Sequence, residues 1–522
     1  MKTMTDRLTE LVSDAFESCG YDRSLGAVTI SDRMDLCQFQ CNGALGGARL
    51  HRKAPAAIAQ DVAAALRENS LFERVEVAGP GFINLTLADS ALLEAVNAIG
   101  ADERLGIPQP EQPQTIVLDY GGPNVAKPLH IGHLRSAIIG EAIKRLARTC
   151  GHRVTGDIHL GDWGLQIGLV IAELSERHPD WSCFAESFDP ARDSVPALDV
   201  DTLSEVYPFA SARSKTDEAF RELAHRATVE LQSGRPGYIA LWKEIMRVSV
   251  ADLKKSYDRL NVSFDLWYGE SDSDRYVPEL MERLESGGLL RESDGALVVD
   301  VATEEDREPM PPVIVRKSDN SNIYATTDLA TLIQRTRDFD PDAVWYVVDT
   351  RQGLHFRQVF RCARRAGLVP EKTALEFLGF GTMNGSDGKP YKTRDGGVMR
   401  LSDLLETATA AAYDKLRDSS YLATVSEEEK TEIAARVGMA AVKFGDLINH
   451  RAKDYVFDLD KFLSFEGKTG TYLLYTVTRI NSILKRVGEE AETAGEITAV
   501  HTETERELLL KLLLTGNAFV RA

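Results

Sequence analysis

The chain has 522 residues, of which 43% are hydrophobic and 27% charged, a balance typical of soluble globular proteins rather than disordered or membrane-spanning ones. Its 61 Lys and Arg against 80 Asp and Glu give a formal net charge of −19, which opposes indiscriminate binding to nucleic acid or acidic lipid but leaves room for a specific RNA partner. At ordinary domain sizes, a chain of this length is expected to form about three domains.

The N-terminal residues alternate charged with apolar side chains and predict an amphipathic helix rather than a secretory signal. The six cysteines are scattered without a CxxC pair, which predicts a reducing compartment without structural disulfides or a zinc site. No apolar run approaches the roughly 20 residues that a bilayer span requires. We therefore expect a cytoplasmic protein.

Residues 1–106 mix helical patterns, such as APAAIAQDVAAALREN, with strand patterns, such as DLCQFQCN and GFINLTL. Gly and Pro residues separate these patterns, so the segment predicts a small α/β domain. Residues 107–115 are rich in Pro and Gln, which predicts a linker.

Strand and helix patterns alternate from residue 116 to residue 400. TIVLDY is a continuous apolar run typical of a buried parallel strand, and HIGHLRSAIIGEAIKRLARTC predicts a long helix that ends at Gly151. VTGDIHL, DAVWYVVDT and LEFLGFGTM predict further strands. A polar, Pro-interrupted stretch at about 175–235 predicts an insertion. The expected fold class is α/β, with a doubly wound parallel sheet of the Rossmann type.

From Leu401 to residue 522 the patterns are helical and without strand signals, which predicts an all-α bundle. Just before this region, RQGLHFRQVFRCARRAG collects five arginines with no acidic residue between them. A basic face for a polyanion and an ordinary solvated helix face are both open for that stretch.

The segment DYGGPNVAKPLHIGHLRS joins the first strand of the predicted sheet to the long helix, which is where doubly wound sheets bind nucleotides. Gly121 and Gly122 allow a tight turn, and the free N–H groups at a helix start favour phosphate oxygens. His130 and His133 are three residues apart, so they should lie on one side of the first turn and could bind one phosphate chain. Gly132 between them would let a flat nucleotide approach the backbone.

Other interpretations of these residues stay open. The two histidines are also compatible with a structural pair or with metal ligands. No Cys, Asp or Glu lies at ligand spacing, so we expect no metal site. Lys127 is either a solvated lysine or, beside a helix N-terminus, a phosphate contact.

PNVAKPLHIGHLRSAIIG resembles the first signature of class I aminoacyl-tRNA synthetases, in the form found in arginyl-tRNA synthetases. Further segments similar to that family follow in order: HLGDWGLQIG, YDRLNVSFDLWYGES, NIYATTDLA, YVVDTRQGLHFRQ, AVKFGDLINHRAKDYVFD and TYLLYTVTRI. The resemblance covers nearly the whole chain from Ile116 onward, and the N-terminal domain more loosely. It implies a ligase that activates arginine with ATP to arginyl-adenylate and then esterifies its tRNA, usually with that tRNA required for activation.

The resemblance also implies roles for individual residues. Asp119 and Asp328 would bind the planar guanidinium of arginine, with a further contact from Tyr324; Asp328 could also cap a helix. Asn124 and Gln352 resemble the residues that hold the substrate's amino end, although each is also compatible with a loop hydrogen bond. The residues implied in ATP binding and activation are Lys127, His130, Gly132, His133, His355, Lys392 and Arg394. Mg²⁺ is expected to be held mainly by the ATP phosphates.

The second signature of the family, a Lys-Met-Ser-Lys-Ser loop, corresponds here to YKTRDGG. This segment lacks the second lysine and brings Asp395 towards the phosphates, where a cation would be favourable. Many arginyl-tRNA synthetases have such a loop, and in them the lysine before the first signature is thought to compensate. The resemblance thus gives more weight to Lys127.

The helical domain at 401–522 resembles the anticodon-binding domain of the family but stops before its last helices, so we expect it to be shortened. Tyr472, Tyr475 and Arg479 resemble contacts to the anticodon region, suited to stacking on unpaired bases and pairing with phosphate. Helix packing is the alternative for these side chains. In this family the N-terminal domain touches the outer corner of the tRNA.

The resemblance therefore predicts a monomeric arginine–tRNA ligase with arginine, ATP and tRNA(Arg) as partners and no membrane. Two alternatives stay open. One is a nucleotidyl-transferring ligase that does not use tRNA, and the other is a synthetase-like protein that binds tRNA or arginine without full ligase activity.

Overall fold

A computed structural model describes residues 2–318, 322–385, 387–389, 399–417, 425–488 and 495–522. Two compact units are present: Met1–Pro113 with Arg148–Gly151 and Leu484–Ala522, and Gln114–Ala147 with His152–Ile483. Lys392, Arg394 and Asp395 of the predicted second signature lie outside the described residues. Within those ranges, none of the helices has the length and apolar composition to cross a membrane.

The helices and strands, in chain order, have the following bounds. The α-helices are α1 (Met4–Ser18), α2 (Gly43–His51), α3 (Pro55–Leu66), α4 (Asp89–Ala101), α5 (Leu134–Cys150), α6 (Leu165–Arg177), α7 (Val200–Arg213), α8 (Glu218–Gln232), α9 (Pro236–Arg259), α10 (Glu270–Ser273), α11 (Val277–Ser286), α12 (Tyr324–Phe339), α13 (Gly353–Arg365), α14 (Leu401–Arg417), α15 (Glu427–Leu447), α16 (Leu459–Phe462), α17 (Gly470–Val487), α18 (Glu503–Leu513) and α19 (Thr515–Arg521). The strands are β1 (Val28–Ile30), β2 (Phe39–Cys41), β3 (Phe72–Ala78), β4 (Phe82–Leu87), β5 (Thr115–Tyr120), β6 (Arg153–Asp157), β7 (Leu290–Ser293), β8 (Ala296–Val299), β9 (Val313–Arg316), β10 (Ala343–Val347), β11 (Ala374–Phe377), β12 (Met383–Asn384) and β13 (Tyr455–Val456).

The first unit contains an antiparallel sheet in the order β1-β2-β4-β3. Ile83, Leu85 and Leu87 alternate along β4 and are fully buried, because every second side chain of a strand points to the same face. They share a core with α1 and α3. The patterns GFINLTL and APAAIAQDVAAALREN therefore correspond to β4 and α3.

The helices α18 and α19 belong to this first unit, although the sequence analysis grouped them with the helices from Leu401 onward. Leu509, Leu510 and Leu513 are buried in the same core as the β1–β4 sheet. Arg506 donates a hydrogen bond to Asp89 at 2.7 Å and another to the Leu87 carbonyl at 2.7 Å. The apolar side of α18 is thus matched to the sheet rather than to the preceding helices, a preference that helical periodicity alone cannot reveal.

The second unit contains a parallel sheet in the order β11-β10-β5-β6. In β5, Ile116 and Leu118 join the core that contains α5, whereas Val117 joins the core that contains α12 and α13. Helices therefore cover both faces of the sheet. The predicted doubly wound α/β fold is confirmed.

Helices surround the sheet of the second unit. The predicted insertion corresponds to α7 and α8, which pack against α6 and α9. Helices α14 and α15 pack together, and Leu404, Val442 and Phe462 join the core on the α5 side of the sheet. The helical patterns from Leu401 to Val487 are therefore present as α14 to α17.

Two strand features differ from the sequence analysis. A three-stranded sheet in the order β7-β8-β9 was not predicted. The strand β7 has no fully buried position, and β8 and β9 have only four residues each. The strand β13 pairs with β12 through Met383 and Tyr455, in a region that we expected to be free of strands. A strand of two residues is too short to show a periodic pattern.

Candidate active site

Hydrogen bonds join the start of α5 to the carboxyl ends of two parallel strands. The Ser136 hydroxyl accepts a hydrogen bond from the Gly121 N–H at 2.8 Å and donates one to the Val347 carbonyl at 2.8 Å. Gly121 and Gly122 have φ of +93° and +37°, which confirms the predicted tight turn because L-residues with side chains rarely adopt such angles. The helix start therefore lies at the sheet edge where this fold binds ligands.

His130 and His133 form a compact pair that begins this helix, and we call residues 127–133 the histidine turn. The Nδ1 atom of His130 accepts from the Gly132 N–H at 3.0 Å, and the Nδ1 atom of His133 accepts from the His130 N–H at 3.1 Å. The ring centroids are 3.9 Å apart. Because each Nδ1 is an acceptor, each ring carries its proton on Nε2. The turn therefore presents two Nε2–H donors.

Burial keeps these two histidines neutral. It lowers the pKa of His133 to about 3, and it lowers the pKa of His130 as well. The charge of Lys127 lowers both values further, so the lysine lies close to the pair. Its Nζ is 4.3 Å from the ring centroid of Tyr207 on α7. A neutral donor pair beside an ammonium group suits the oxygens of a phosphate chain.

The local backbone differs from the predicted helix at its start. The predicted helix begins at His130, whereas a 3-10 turn spans Ile131–His133 and α5 begins at Leu134. Gly132 has a further structural reason. A Cβ there would lie 2.8 Å from the Cε1 of His130, so the neighbouring imidazole disfavours a side chain at this position, and the nucleotide contact of Gly132 stays a prediction.

Asp119 lies on β5 beside Asp157 of β6, and the two are paired in register. The Nη2 atom of Arg335 on α12 donates to Asp119 at 2.6 Å and to Asp157 at 2.7 Å. All three residues are buried. Burial raises the pKa of the Asp119 carboxyl, and the charge of Arg335 opposes that shift. The acid predicted to bind a guanidinium thus already holds one that belongs to the protein.

Asp119, Asp157 and His159 offer ligand atoms that lie within 4.8 Å of one another, so their geometry alone is compatible with a metal ion. Arg335 donates to both carboxylates of this group. Its guanidinium supplies the positive charge that a metal would otherwise bring. The donor set therefore fits an internal ion pair better than a metal centre.

Asp328 and Tyr324 lie one turn apart at the start of α12, and so on one side of that helix. The Asp328 carboxylate is 2.5 Å from the Nε2 atom of His355 on α13. The structure thus brings together Asp328, predicted to bind arginine, and His355, predicted to bind ATP. Asp328 caps no helix end, because it lies in the second turn of α12.

Glu270, the first residue of α10, is a buried acid to which the sequence analysis gave no role. Burial raises its pKa to about 7, with a further contribution from the nearby charges of Asp162 and Asp328 that His159 opposes. We call Asp119, Asp157, Glu270 and Asp328 the acidic cluster. Buried acids with raised pKa values are frequent at ligand sites.

Asp157 and Arg335 are two further residues that the sequence analysis missed. Asp157 lies within the predicted strand pattern VTGDIHL, and Arg335 follows Asp328 by seven residues on a predicted helix. Seven residues are two helical turns, so this spacing places both side chains on one face of α12. From that spacing, Arg335 could have been identified in the sequence as a residue on the same helix face as Asp328.

Asn124 and Gln352 also lie beside the carboxyl ends of the sheet strands. Asn124 forms an isolated parallel bridge with Gly161, just beyond β6. Gln352 is exposed and ends a 3-10 turn that follows β10. Both residues are thus placed at the edge that carries Asp119, and their roles remain predictions.

Tyr472, Tyr475 and Arg479 lie on α17, and all three are exposed. The two tyrosines are 45% and 51% exposed, with ring centroids 6.5 Å apart. Within the described residues these rings are thus accessible for stacking.

The arginine-rich stretch on α13 is engaged with neighbouring loops. Arg361 binds the Asp306 carboxylate with two hydrogen bonds of 2.7 Å. Arg364 donates to the Pro370 carbonyl, and Arg365 donates to the Asp300 carbonyl. Three of the five arginines thus hold neighbouring loops, and both interpretations of the stretch stay open for the exposed Arg357.

Comparison with known proteins agrees with this geometry. The family described as "tRNA synthetases class I (R), catalytic domain" matches residues 95–459, and the family "Arginyl tRNA synthetase N terminal domain" matches residues 6–87. The arginine–tRNA ligase of Alkaliphilus oremlandii is 52% identical over 513 residues, which are 98% of this chain and 87% of that one. The arginine–tRNA ligase of Agathobacter rectalis is 50% identical over 504 residues, 96% of this chain and 84% of that one.

Among solved structures, the arginyl-tRNA synthetase of Plasmodium falciparum has a TM-score of 0.81 at 22% identity, with 100% of this chain and 88% of that chain covered. This likeness shows the fold. The sheet, its helices and the histidine turn define a class I aminoacyl-tRNA synthetase catalytic domain. With both family matches and relatives of this identity, the chain belongs to the arginyl-tRNA synthetase family.

Proposed function

We propose that the chain attaches arginine to tRNA(Arg) with ATP, through an arginyl-adenylate. The observation that carries this proposal is the presence of two complementary groups at the carboxyl edge of one parallel sheet. The acidic cluster suits a planar, permanently charged guanidinium, and the histidine turn suits a triphosphate. Arginine–tRNA ligases at about 50% identity over nearly the whole chain support the same activity.

In the first step, a carboxylate oxygen of arginine attacks the α-phosphorus of ATP, the bond to the bridging oxygen of the β-phosphate breaks, and pyrophosphate leaves. Negative charge accumulates on the phosphates during this step. The Nε2–H groups of His130 and His133 donate hydrogen bonds to them, and Lys127 supplies positive charge. In the second step, a terminal ribose hydroxyl of the tRNA attacks the adenylate carbonyl and AMP leaves.

The resemblance to the family supports further contacts to the substrates. Asp328, Glu270 and Tyr324 surround the guanidinium, while Asn124 and Gln352 hold the amino end. His355 reaches ATP from its place beside Asp328. Lys392, Arg394 and Gly132 complete the nucleotide contacts, and Mg²⁺ is carried by the ATP phosphates.

The tRNA contacts are assigned to two regions. Exposed tyrosine rings at 472 and 475, with Arg479 on the same helix, suit unpaired bases and phosphate of the anticodon region. The domain at 1–106 contacts the outer corner of the tRNA, after which the linker at 107–115 leads to the catalytic domain at 116–400. We propose that the enzyme acts as a monomer in the cytoplasm.

Pyrophosphate exchange, measured with each amino acid in the presence and absence of tRNA(Arg), tests the function. The proposal requires exchange with arginine that depends on tRNA. Exchange with another acid in the absence of tRNA would identify a nucleotidyl-transferring ligase that does not use tRNA. No exchange under any condition, together with retained binding of tRNA or arginine, would identify a binding protein without full ligase activity.

A further inference from the structure

Three adjacent strands contribute one side chain each to a single row across the sheet. Tyr346 of β10 is in register with Asp119 of β5, and Asp119 is in register with Asp157 of β6. Arg335 of α12 lies over this row, with its guanidinium carbon 5.3 Å from the Tyr346 ring centroid and Nη2 bonded to both carboxylates. One internal guanidinium is therefore held between a ring and two acids.

Among the described residues, the hydrogen bonds that Arg335 donates go to these two acids, and its charge also acts on the Tyr346 hydroxyl. Its Nε and Nη1 atoms are buried and have no partner among the described residues. A buried donor without a partner destabilises the folded state, and a buried ion pair is weak evidence for stability. A side chain retained only for stability would be expected to satisfy more of its five donors.

The two acids are not equivalent. The Asp119 side chain is 10% exposed, whereas that of Asp157 is 1% exposed. Arg335 engages only the Oδ2 atom of each carboxylate, and a carboxylate can accept bonds at both oxygens. When both carboxylates are ionised and His159, whose Nδ1 lies 3.9 Å from Asp157, is neutral, two acids and one guanidinium leave one negative charge. A second guanidinium, that of a substrate, would balance it at the more exposed acid.

We propose that Arg335 is a positioning residue for substrate arginine: it neutralises Asp157 and fixes the Asp119 carboxylate so that this acid can receive the guanidinium of the substrate. This inference rests on the proposed function. The protein uses a guanidinium of its own to shape the site for a second one.

The test is the double variant Arg335→Met with Asp157→Asn, which removes one positive and one negative charge and so keeps the charge balance of the site. We expect a folded protein in which the KM for arginine rises at least about tenfold, or about 1.4 kcal/mol, while the KM for ATP is unchanged. Recovery of the wild-type KM for arginine would overturn the proposal, because charge compensation would then be the whole role of Arg335. An equal rise in both KM values would also overturn it.

A conservative variant keeps the test usable if the double variant does not fold. Arg335→Lys keeps the charge but loses the planar guanidinium with its paired donors. The KM for arginine should therefore rise again, while the KM for ATP should remain unchanged. A wild-type KM for arginine in Arg335→Lys would overturn the proposal. Arg337→Met, on the same helix at a half-exposed position, is the matched control and should keep both KM values. Failure of the proposed function is distinguishable, because the wild-type enzyme itself would then show no arginine-dependent exchange.

Discussion

The acidic cluster and the histidine turn handle charge in opposite ways. In the acidic cluster, burial raises the pKa of Glu270 and Asp119, and a buried arginine compensates part of the negative charge. In the histidine turn, burial lowers the pKa of both imidazoles, and Lys127 is the cation whose charge acts on them. The proposed arginine side of the site thus carries an acid that titrates near neutral pH, whereas the described part of the proposed phosphate side offers neutral donors and Lys127.

The largest expected effect is that of Lys127→Ala. Since the histidines are neutral, removing this cation should lower the rate of adenylate formation about 100- to 1,000-fold, in the range found for removal of a group that stabilises transition-state charge. The KM for arginine should not change. Pyrophosphate exchange with varied ATP and arginine measures both quantities.

Lys127→Arg is the matched control for that variant, because it keeps the charge and should keep most of the rate. An unchanged rate in Lys127→Ala would mean that the histidine turn does not depend on this cation. The contrast between the acidic cluster and the histidine turn would then not hold for the histidine turn.

Asp328→Asn should lower kcat/KM for arginine about 100-fold, because truncating one partner of a desolvated charge pair costs roughly 2–5 kcal/mol. The KM for ATP should stay the same, as measured by the same exchange assay. Asp340→Asn, at the exposed end of α12, is the control and should behave as wild type. An equal loss for ATP would show that Asp328 supports the site as a whole rather than the guanidinium.

His133→Asn tests whether the histidine turn is neutral. The folded pKa of His133 is about 3 against an ordinary value of 6.5, so acid favours the unfolded chain, in which this histidine takes up a proton. Between pH 8 and pH 5 the wild type should therefore lose about 2 kcal/mol of unfolding free energy through this group, and the variant should not.

Urea unfolding at the two pH values measures this difference between wild type and variant. His450→Asn, at an exposed histidine, should leave the pH dependence of wild type in place. If His133→Asn showed the same pH dependence as wild type, His133 would not be held neutral in the folded protein.

The smallest expected effect is on the pH dependence of arginine binding. Glu270 has a pKa of about 7, and Asp162, Asp328 and His159 are the titratable groups whose charges act on it. The ionised form binds a guanidinium, so the KM for arginine should fall about tenfold between pH 6 and pH 8 as Glu270 loses its proton. In Glu270→Gln the KM should be high and nearly flat over this range.

Glu282→Gln, at an exposed acid on α11, is the control and should keep the pH profile of the wild type. If the KM for arginine still fell with pH in Glu270→Gln, the pH dependence would belong to another group.

Much of the catalytic fold could be predicted because its strands and helices are long and buried. TIVLDY, VTGDIHL and DAVWYVVDT correspond to β5, β6 and β10, and the long helix ends before Gly151 as expected. The β7–β9 sheet was missed because β7 has no apolar pattern and the apolar runs of β8 and β9 are only three or four residues long, too short to show a clear period. The packing of α18 against the N-terminal sheet could not be predicted either. Periodicity shows that a helix has an apolar side, but not which element that side packs against.

The candidate site was predictable where residues are close in sequence. His130 and His133 lie three residues apart, and their spacing alone suggested one cluster. Arg335, by contrast, comes from a distant helix and meets Asp119 only through the register of the sheet. Glu270 lies in a short helix whose burial is set by tertiary packing, so no local pattern marked it.

The placement of α18 on the N-terminal sheet has a consequence for biosynthesis. Asn97 exchanges hydrogen bonds with Ile497, 400 residues further along the chain. At a synthesis rate of roughly 5–20 residues per second, about 20–80 seconds separate the emergence of these two segments from the ribosome. The core of the N-terminal sheet is thus completed only after α18 has been synthesised, so the apolar surface that α18 covers stays open during this interval.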